Sequence, residues 1–278
     1  MLTYRYHIVN VFAEAPLTGN ALAVFEYAYE MSDELMLALA QQMNLSETTF
    51  IQHSDKAHAK VRIFTPGGEL PFAGHPVLGS AEVVSQLNGG LDLMTLETRA
   101  AIVPMWFRDG RWSLQVRAAT LRRPTASITQ LAQMLSLPVT DLKANSFFVD
   151  SGNEQLLIRV GSREAVARCQ PRPDEMLQHA VNRAGLAKLY VWHRDREQIT
   201  ARFFAIVNGM MIEDPGTGSA AANLGGWLYA HKQVPTRTVI VQGEQIGRPC
   251  RIYLEVDEQG RVFVGGRVMR QGAGEIRI

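Results

Sequence analysis

The chain has 278 residues, 46% of them hydrophobic and 20% charged, with a net charge of +1; this is ordinary globular composition at a length that suits two domains. No Lys/Arg run stands out, so neither nucleic acid nor an anionic membrane is the expected partner. The two cysteines, Cys169 and Cys250, make neither a disulfide framework nor a metal-type cluster. No apolar run approaches the roughly 18 residues of a membrane span, and the N-terminal stretch carries charge within its apolar residues, unlike a signal peptide. The expected location is cytoplasmic.

Tyr4 to Phe12 is rich in β-branched and aromatic residues and reads as a strand. Pro16 to Asn20 is turn chemistry, and Ala21 to Tyr27 returns as a second strand. Ser32 then precedes Asp33-Glu34 and an apolar period at Leu35, Leu39 and Met43, which is a capped helix that Asn44 ends. Asn44 to Gln52 and Ala59 to Thr65 read as strands, and Pro66-Gly67-Gly68 forces a turn. Pro76 to Leu87 reads as a helix with Pro at its first position and Asn88-Gly89-Gly90 at its end. Leu93 to Val116 is strand-like with a turn at Asp109-Gly110. A short helix is expected near Ile128 to Leu135, two strands within Ser146 to Val160, and a helix over Asp174 to Arg183. Leu186 to Trp192 and Thr200 to Val207 read as strands, Ser219 to His231 as a helix, and the remainder as strand. Many short strands with few helices predict an α+β fold, mostly antiparallel. No βαβ rhythm and no GxGxxG appear, which removes a nicotinamide-binding reading.

One arrangement occurs twice. A strand leads into Glu69-Leu70-Pro71-Phe72-Ala73-Gly74-His75-Pro76 and a helix; later a strand leads into Glu213-Asp214-Pro215-Gly216-Thr217-Gly218-Ser219 and a helix. Gly74 can be laid on Gly216. Both helices are small or apolar on nearly every side, the pattern of a buried helix. Glycine within a helix costs about 1 kcal/mol against alanine, so Gly79, Gly225 and Gly226 need a packing reason. A helix threaded through a curved sheet in each half supplies one. Helix starts present unpaired N–H groups and partial positive charge. Two of them converging on a cleft would hold a carboxylate, with Gly74 and Gly216-Thr217-Gly218-Ser219 as the binding turns.

Glu47 lies in Asn44-Leu45-Ser46-Glu47-Thr48-Thr49-Phe50. On a strand it would share a face with Leu45, Thr49 and Ile51, where desolvation would make it a proton carrier near neutral pH. A water-facing edge glutamate is the alternative that the residues alone leave open. His75 would be the cap of the first buried helix with Pro76 at N1; histidine is a poor cap, so it is a candidate donor or relay, or else a structural histidine. Asp214 suits the second helix start, and Ser219 either caps that helix or touches a ligand.

These motifs resemble the PhzF-like phenazine-biosynthesis family, whose fold is shared with diaminopimelate epimerase and proline racemase. The resemblance rests on Thr18 to Phe25, Asn44-Leu45-Ser46-Glu47-Thr48, Phe64-Thr65-Pro66 with Pro71 to Pro76, and Glu213-Asp214 with Thr217-Gly218-Ser219-Ala220. It implies two pseudo-symmetric halves, each a mostly antiparallel β-barrel around a central buried helix. The boundaries are 1–115, completed by about 265–278, and 116–264. It also implies a homodimer and a proton-transferring isomerase without metal or organic cofactor, acting on a small carboxylate-bearing metabolite. The acid/base glutamate falls on Glu47, and the family's His, Asp and Ser on His75, Asp214 and Ser219. The two cysteines of the epimerases fall on Ala73 and Pro215, which carry no proton, so a two-thiol mechanism is excluded. A Phe-Ser-Pro segment common in the family is replaced by Phe203 to Gly209, and no phenazine role follows. A non-catalytic carboxylate-binding protein and an epimerase of another mechanism are the competing readings.

Overall fold

In a computed structural model, which describes residues 2–196 and 198–278, the chain divides into two compact units, Met1–Gln115 with Gly265–Ile278, and Val116–Val264. The fold is mixed α+β and dominated by sheet.

The first unit begins with β1 (Thr3–Val11) and β2 (Asn20–Phe25), then α1 (Asp33–Met43). Ser32 caps α1 by accepting from Leu35 N, and Asp33 and Glu34 sit in its positive first turn. Asn44 ends it in the left-handed region at φ 51°, a conformation asparagine tolerates. The chain continues through β3 (Thr48–Gln52), β4 (Ala59–Thr65), β5 (Gly68–Leu70), α2 (Gly74–Leu87), β6 (Leu93–Glu97), β7 (Ile102–Arg108) and β8 (Arg111–Val116). The second unit contains β9 (Thr120–Arg122), α3 (Ile128–Met134), β10 (Phe147–Asp150), β11 (Gln155–Arg159), α4 (Arg163–Arg168), α5 (Pro173–His179), β12 (Lys188–Asp195), β13 (Gln198–Val207), β14 (Met210–Asp214), α6 (Gly218–Ala230), β15 (Thr236–Gln242), β16 (Cys250–Val256) and β17 (Val262–Gly266). The last strand, β18 (Val268–Arg277), pairs antiparallel with β1 and returns the chain to the first unit.

The two units repeat one pairing pattern. In the first, β1–β2 is antiparallel, β2–β3 parallel, β3–β4 antiparallel, β4–β6 parallel and β6–β7 antiparallel, with β5 hairpinned on β4. In the second, β10–β11, β11–β12, β12–β13, β13–β15 and β15–β16 run through the same series, with β14 hairpinned on β13. The register matches residue for residue. Thr48 faces Ala23 and Phe64, as Leu189 faces Leu156 and Phe204. Phe64 faces Glu69 as Phe204 faces Glu213, and Ala59 faces Leu96 as Ile199 faces Ile240. The segments from Glu69 to Leu96 and from Glu213 to Ile240 are equal in length, which lays Gly74 on Gly218 and His75 on Ser219.

Each central helix is buried along most of its length, from His75 to Ser85 in α2 and from Gly218 to Leu228 in α6. The first touches β1, β2, β3, β4, β6 and β18; the second touches β10, β11 and β16. The glycines make this approach possible. A Cβ on Gly79 would come within 2.5 Å of a Leu22 methyl, and one on Gly225 within 2.5 Å of a Val262 methyl. The second unit has a further apolar cluster, in which α3, α4 and α5 pack Leu131, Val166 and Met176 against Ile158, Leu189 and Phe204. Among the described residues no helix is long and apolar enough to cross a membrane.

Several sequence expectations shift. The first central helix starts at Gly74 with Ala73 as its cap residue, so His75 is not the cap and Pro76 stands third; a proline is tolerated there because the first-turn N–H groups have no intrahelical partner. The second starts at Gly218 behind Thr217, which makes no side-chain cap bond, so Ser219 is not a cap and Gly74 matches Gly218 rather than Gly216. The helix expected over Asp174 to Arg183 spans Pro173–His179, and α4 was not anticipated.

Candidate active site

In the first unit, Glu47 stands between the left-handed end of α1 and the first residue of β3. It is therefore one residue outside the strand expected to carry it. Its carboxylate is mostly covered, with 17% exposure, and Oε2 lies 3.6 Å from Nδ1 of His75, which is 6% exposed. That separation is longer than a hydrogen bond. Burial holds the His75 pKa down to about 3, opposed only by the Ala21 carbonyl, so the ring is neutral in the physiological range and presents one donor and one acceptor nitrogen. Its Nε2 is buried without a hydrogen-bond partner, and so is Thr48 Oγ1. Buried polar atoms are rarely left so.

The position of Glu47 is set from behind. Ser80 Oγ, from α2, donates to Thr49 Oγ1 at 2.9 Å, and Thr49 Oγ1 donates to the Ala23 carbonyl at 3.5 Å. This chain ties α2, β3 and β2 together two residues from Glu47. Gly74 opens α2 with no side-chain cap, so the N–H groups of that turn are available to an anion.

In the second unit, Asp214 ends β14, opposite Phe203. Thr217 Oγ1 donates to Asp214 Oδ2. The buried Gln242 donates from Nε2 to the Asp214 carbonyl at 2.8 Å and to Thr217 Oγ1 at 3.0 Å, while its Oε1 accepts from Thr217 N at 3.4 Å. One side chain from β15 thus sets the turn Asp214-Pro215-Gly216-Thr217. Burial, with the Asp214 charge adding to it, pushes the Tyr190 phenol and the Cys250 thiol upward, so both stay neutral. Ser219, second residue of α6, accepts from Gln155 Nε2 at 2.9 Å and from Asn153 Nδ2 at 3.4 Å.

The structure therefore brings Glu47, His75 and Gly74 together in one unit, and Asp214, Gly216, Thr217, Gly218 and Ser219 together in the other. Sequence reasoning missed Gln242, Asn153, Gln155 and Asn223. Two signals were there: an asparagine in an otherwise apolar helix, and Ser151-Gly152-Asn153 repeating Thr18-Gly19-Asn20 ahead of matched strands.

Each unit also carries a partly buried bidentate ion pair that braces its hairpin. Arg62 donates to both Glu69 oxygens at 2.8 Å, and Arg202 to both Glu213 oxygens at 2.9 and 2.7 Å. Each guanidinium lies over a phenylalanine, Phe64 at 5.2 Å or Phe204 at 4.7 Å. Among the described residues, no group of three or more His, Cys, Asp or Glu converges as a metal site.

A duplicated α+β frame thus carries a Glu–His pair at one central helix start and an Asp–Thr–Ser turn at the other. The chain belongs to the phenazine biosynthesis-like protein family PhzC-PhzF, whose model matches residues 9–272. An uncharacterized isomerase of Pasteurella multocida is 40% identical over all of this chain and 96% of that one. The trans-2,3-dihydro-3-hydroxyanthranilate isomerase of Pseudomonas aeruginosa is 33% identical over 97% of this chain and 96% of its own length. Among solved structures, the PhzF-family protein of Bacillus anthracis superposes with a TM-score of 0.88 at 22% identity, each chain fully covered. Its named relatives place this protein among the isomerases.

Proposed function

We propose that the protein is a cofactor-independent isomerase that moves a proton between two carbons of a small carboxylate-bearing metabolite. The observation that carries this is the pair of mostly buried side chains, Glu47 and neutral His75, 3.6 Å apart at an uncapped helix start. Glu47 takes the proton from one substrate carbon and returns it to another on the same face. The carbon–hydrogen bond that breaks is replaced by one that forms, and no electrons leave the substrate. His75 orients the carboxyl or hydrogen-bonds the substrate. Asp214, held by Thr217 and Gln242, is the candidate acid/base group of the second unit. Within the first unit the turn at Gly74 offers backbone N–H groups to a carboxylate, and within the second the turn Gly216-Thr217-Gly218-Ser219 offers backbone N–H groups and the Ser219 hydroxyl. In this reading each sheet curls into a barrel around its buried helix, and the protein works as a homodimer, as the family resemblance implies.

The test is solvent deuterium exchange, read by NMR or mass spectrometry, on trans-2,3-dihydro-3-hydroxyanthranilate and a panel of cyclic and amino carboxylates. Wild type should incorporate deuterium into one of them. Glu47→Gln should slow incorporation by about a thousandfold, within the range of a lost general acid/base, while binding the same compound with little change. Undiminished exchange in that variant would refute the assignment. Binding without exchange in wild type would favour a carboxylate-binding protein.

A further inference from the structure

The repeated register identifies a residue that no motif points to. Thr48 and Leu189 occupy matching positions, each facing the matched partners on both neighbouring strands. The residue before Thr48 is Glu47, and the residue before Leu189 is Lys188. The frame that carries the acid/base carboxylate in the first unit therefore carries an ammonium group at the same place in the second.

That ammonium group begins a directed chain of hydrogen bonds. Lys188 Nζ donates to Asn153 Oδ1 at 2.8 Å. A lysine ammonium has no acceptor, so the Asn153 atom facing it must be oxygen, which leaves Nδ2 to donate to Ser219 Oγ. A second chain arrives from the other side. Ser151 N, which can only donate, meets Asn223 Oδ1 at 2.8 Å. Asn223 Nδ2 then donates to Gln155 Oε1 at 3.0 Å, and Gln155 Nε2 donates to Ser219 Oγ at 2.9 Å. Gln155 and Asn223 are fully buried, and their amide orientations are set by groups that cannot reverse. Both bonds to Ser219 use lone pairs of its oxygen. A serine hydroxyl has two lone pairs and one hydrogen, so with both lone pairs engaged it has only its hydrogen to offer a ligand.

We propose that Lys188 is a substrate-positioning residue: through Asn153 it holds the Ser219 hydroxyl as an obligate donor, and so selects an anionic oxygen, a carboxylate, at that helix start. An amide nitrogen or an ammonium group in the same place would meet a hydrogen instead of a lone pair, and a carboxamide that turns its carbonyl oxygen there accepts a weaker bond than a carboxylate does. The assignment rests on the proposed carboxylate site and specifies how one half of it tells a carboxylate from its neutral isostere. It also accounts for the charge difference between matched positions. Glu47 exchanges a proton with substrate, whereas Lys188 fixes the direction of a hydrogen bond.

The experiment is calorimetric titration with two probes, anthranilate (2-aminobenzoate) and its neutral isostere anthranilamide (2-aminobenzamide). Wild type should bind anthranilate at least tenfold more tightly. Lys188→Met should weaken anthranilate by about tenfold, the scale of one hydrogen bond to a charged group, and anthranilamide by clearly less, because its carbonyl oxygen accepts a weaker, neutral bond. Asn153→Asp is almost isosteric and keeps the lysine contact, but turns an acceptor toward Ser219. It should draw the hydroxyl hydrogen back and lose anthranilate similarly, with circular dichroism and melting confirming the fold of each variant. The decisive comparison is in a Ser219→Ala background, where Lys188→Met should cost less than about twofold, because the two residues act in series. An equal loss in both backgrounds overturns the route through Ser219 and leaves a bare charge effect. Wild type that binds neither probe, or both equally, overturns the carboxylate reading itself.

Discussion

His75 is fully enclosed beside a carboxylate, yet its ring is neutral, because the desolvation of an imidazolium outweighs the nearby acceptor groups. That has a consequence for stability. The unfolded chain binds a proton at His75 below pH 6.5, while the folded protein does not until about pH 3. In that window the unfolded state holds more protons, so stability falls as pH falls. At pH 5 the loss is about 2 kcal/mol relative to pH 7. Urea unfolding at the two pH values should show this, and His75→Gln should flatten the dependence; an unchanged slope in the variant would place the origin elsewhere. At this scale the sequence was informative about identity and less so about position. Glu47 and His75 were both singled out, but Glu47 lies just before its strand and His75 lies inside its helix. Helix and strand ends depend on which backbone groups find partners, and that is settled by the neighbouring strands.

The central helices show what an apolar all-round pattern means. Of the polar residues in α2 and α6, the buried Ser80 and Asn223 reach partners on adjacent strands. Gly79 is inside α2 because Leu22, Val11 and Val9 occupy the space a Cβ would need, at 2.5, 3.0 and 3.1 Å. Gly79→Ala should gain about 1 kcal/mol of helix propensity and lose more to overpacking, about 1–3 kcal/mol. A net destabilisation in thermal or urea melting is the expected sign, and a stabilised variant would mean that the helix is not confined by β1 and β2. The small-residue pattern was sufficient to infer buried helices. It could not reveal α4, whose six residues are too short to show a period and are held by the Ser162 cap and by contacts with β12 and β13.

Across the molecule, the same frame is built twice and given different chemistry. The Arg62–Glu69 and Arg202–Glu213 pairs sit at matched positions and brace the hairpins that feed the two helix starts. They are not equally embedded. Arg62 also reaches the exposed Asp33, whereas Arg202 Nη1 donates to the Ala167 and Cys169 carbonyls at 3.1 and 2.7 Å. Removing Arg202 leaves a mostly covered carboxylate and the Cys169 carbonyl without this partner, so Arg202→Met should cost about 1–3 kcal/mol, and Arg62→Met less. Comparing the two melting curves tests this order, and a larger loss at Arg62 would contradict it.

The amino-acid sequence by itself determined the fold class, the family, the two buried helices and the residue types at Glu47, His75, Asp214 and Ser219, because periodicity, turn residues and short motifs are local. The residue-level match between the halves was decided only by the tertiary structure. Gly74 aligns with Gly218, and Glu47 with Lys188, through strand register, a set of backbone hydrogen bonds between segments far apart in the chain. The direction of the Ser219 hydroxyl belongs to the same class of fact. It follows from Lys188, Asn153, Gln155 and Asn223 meeting in space, and no spacing along the chain encodes that meeting.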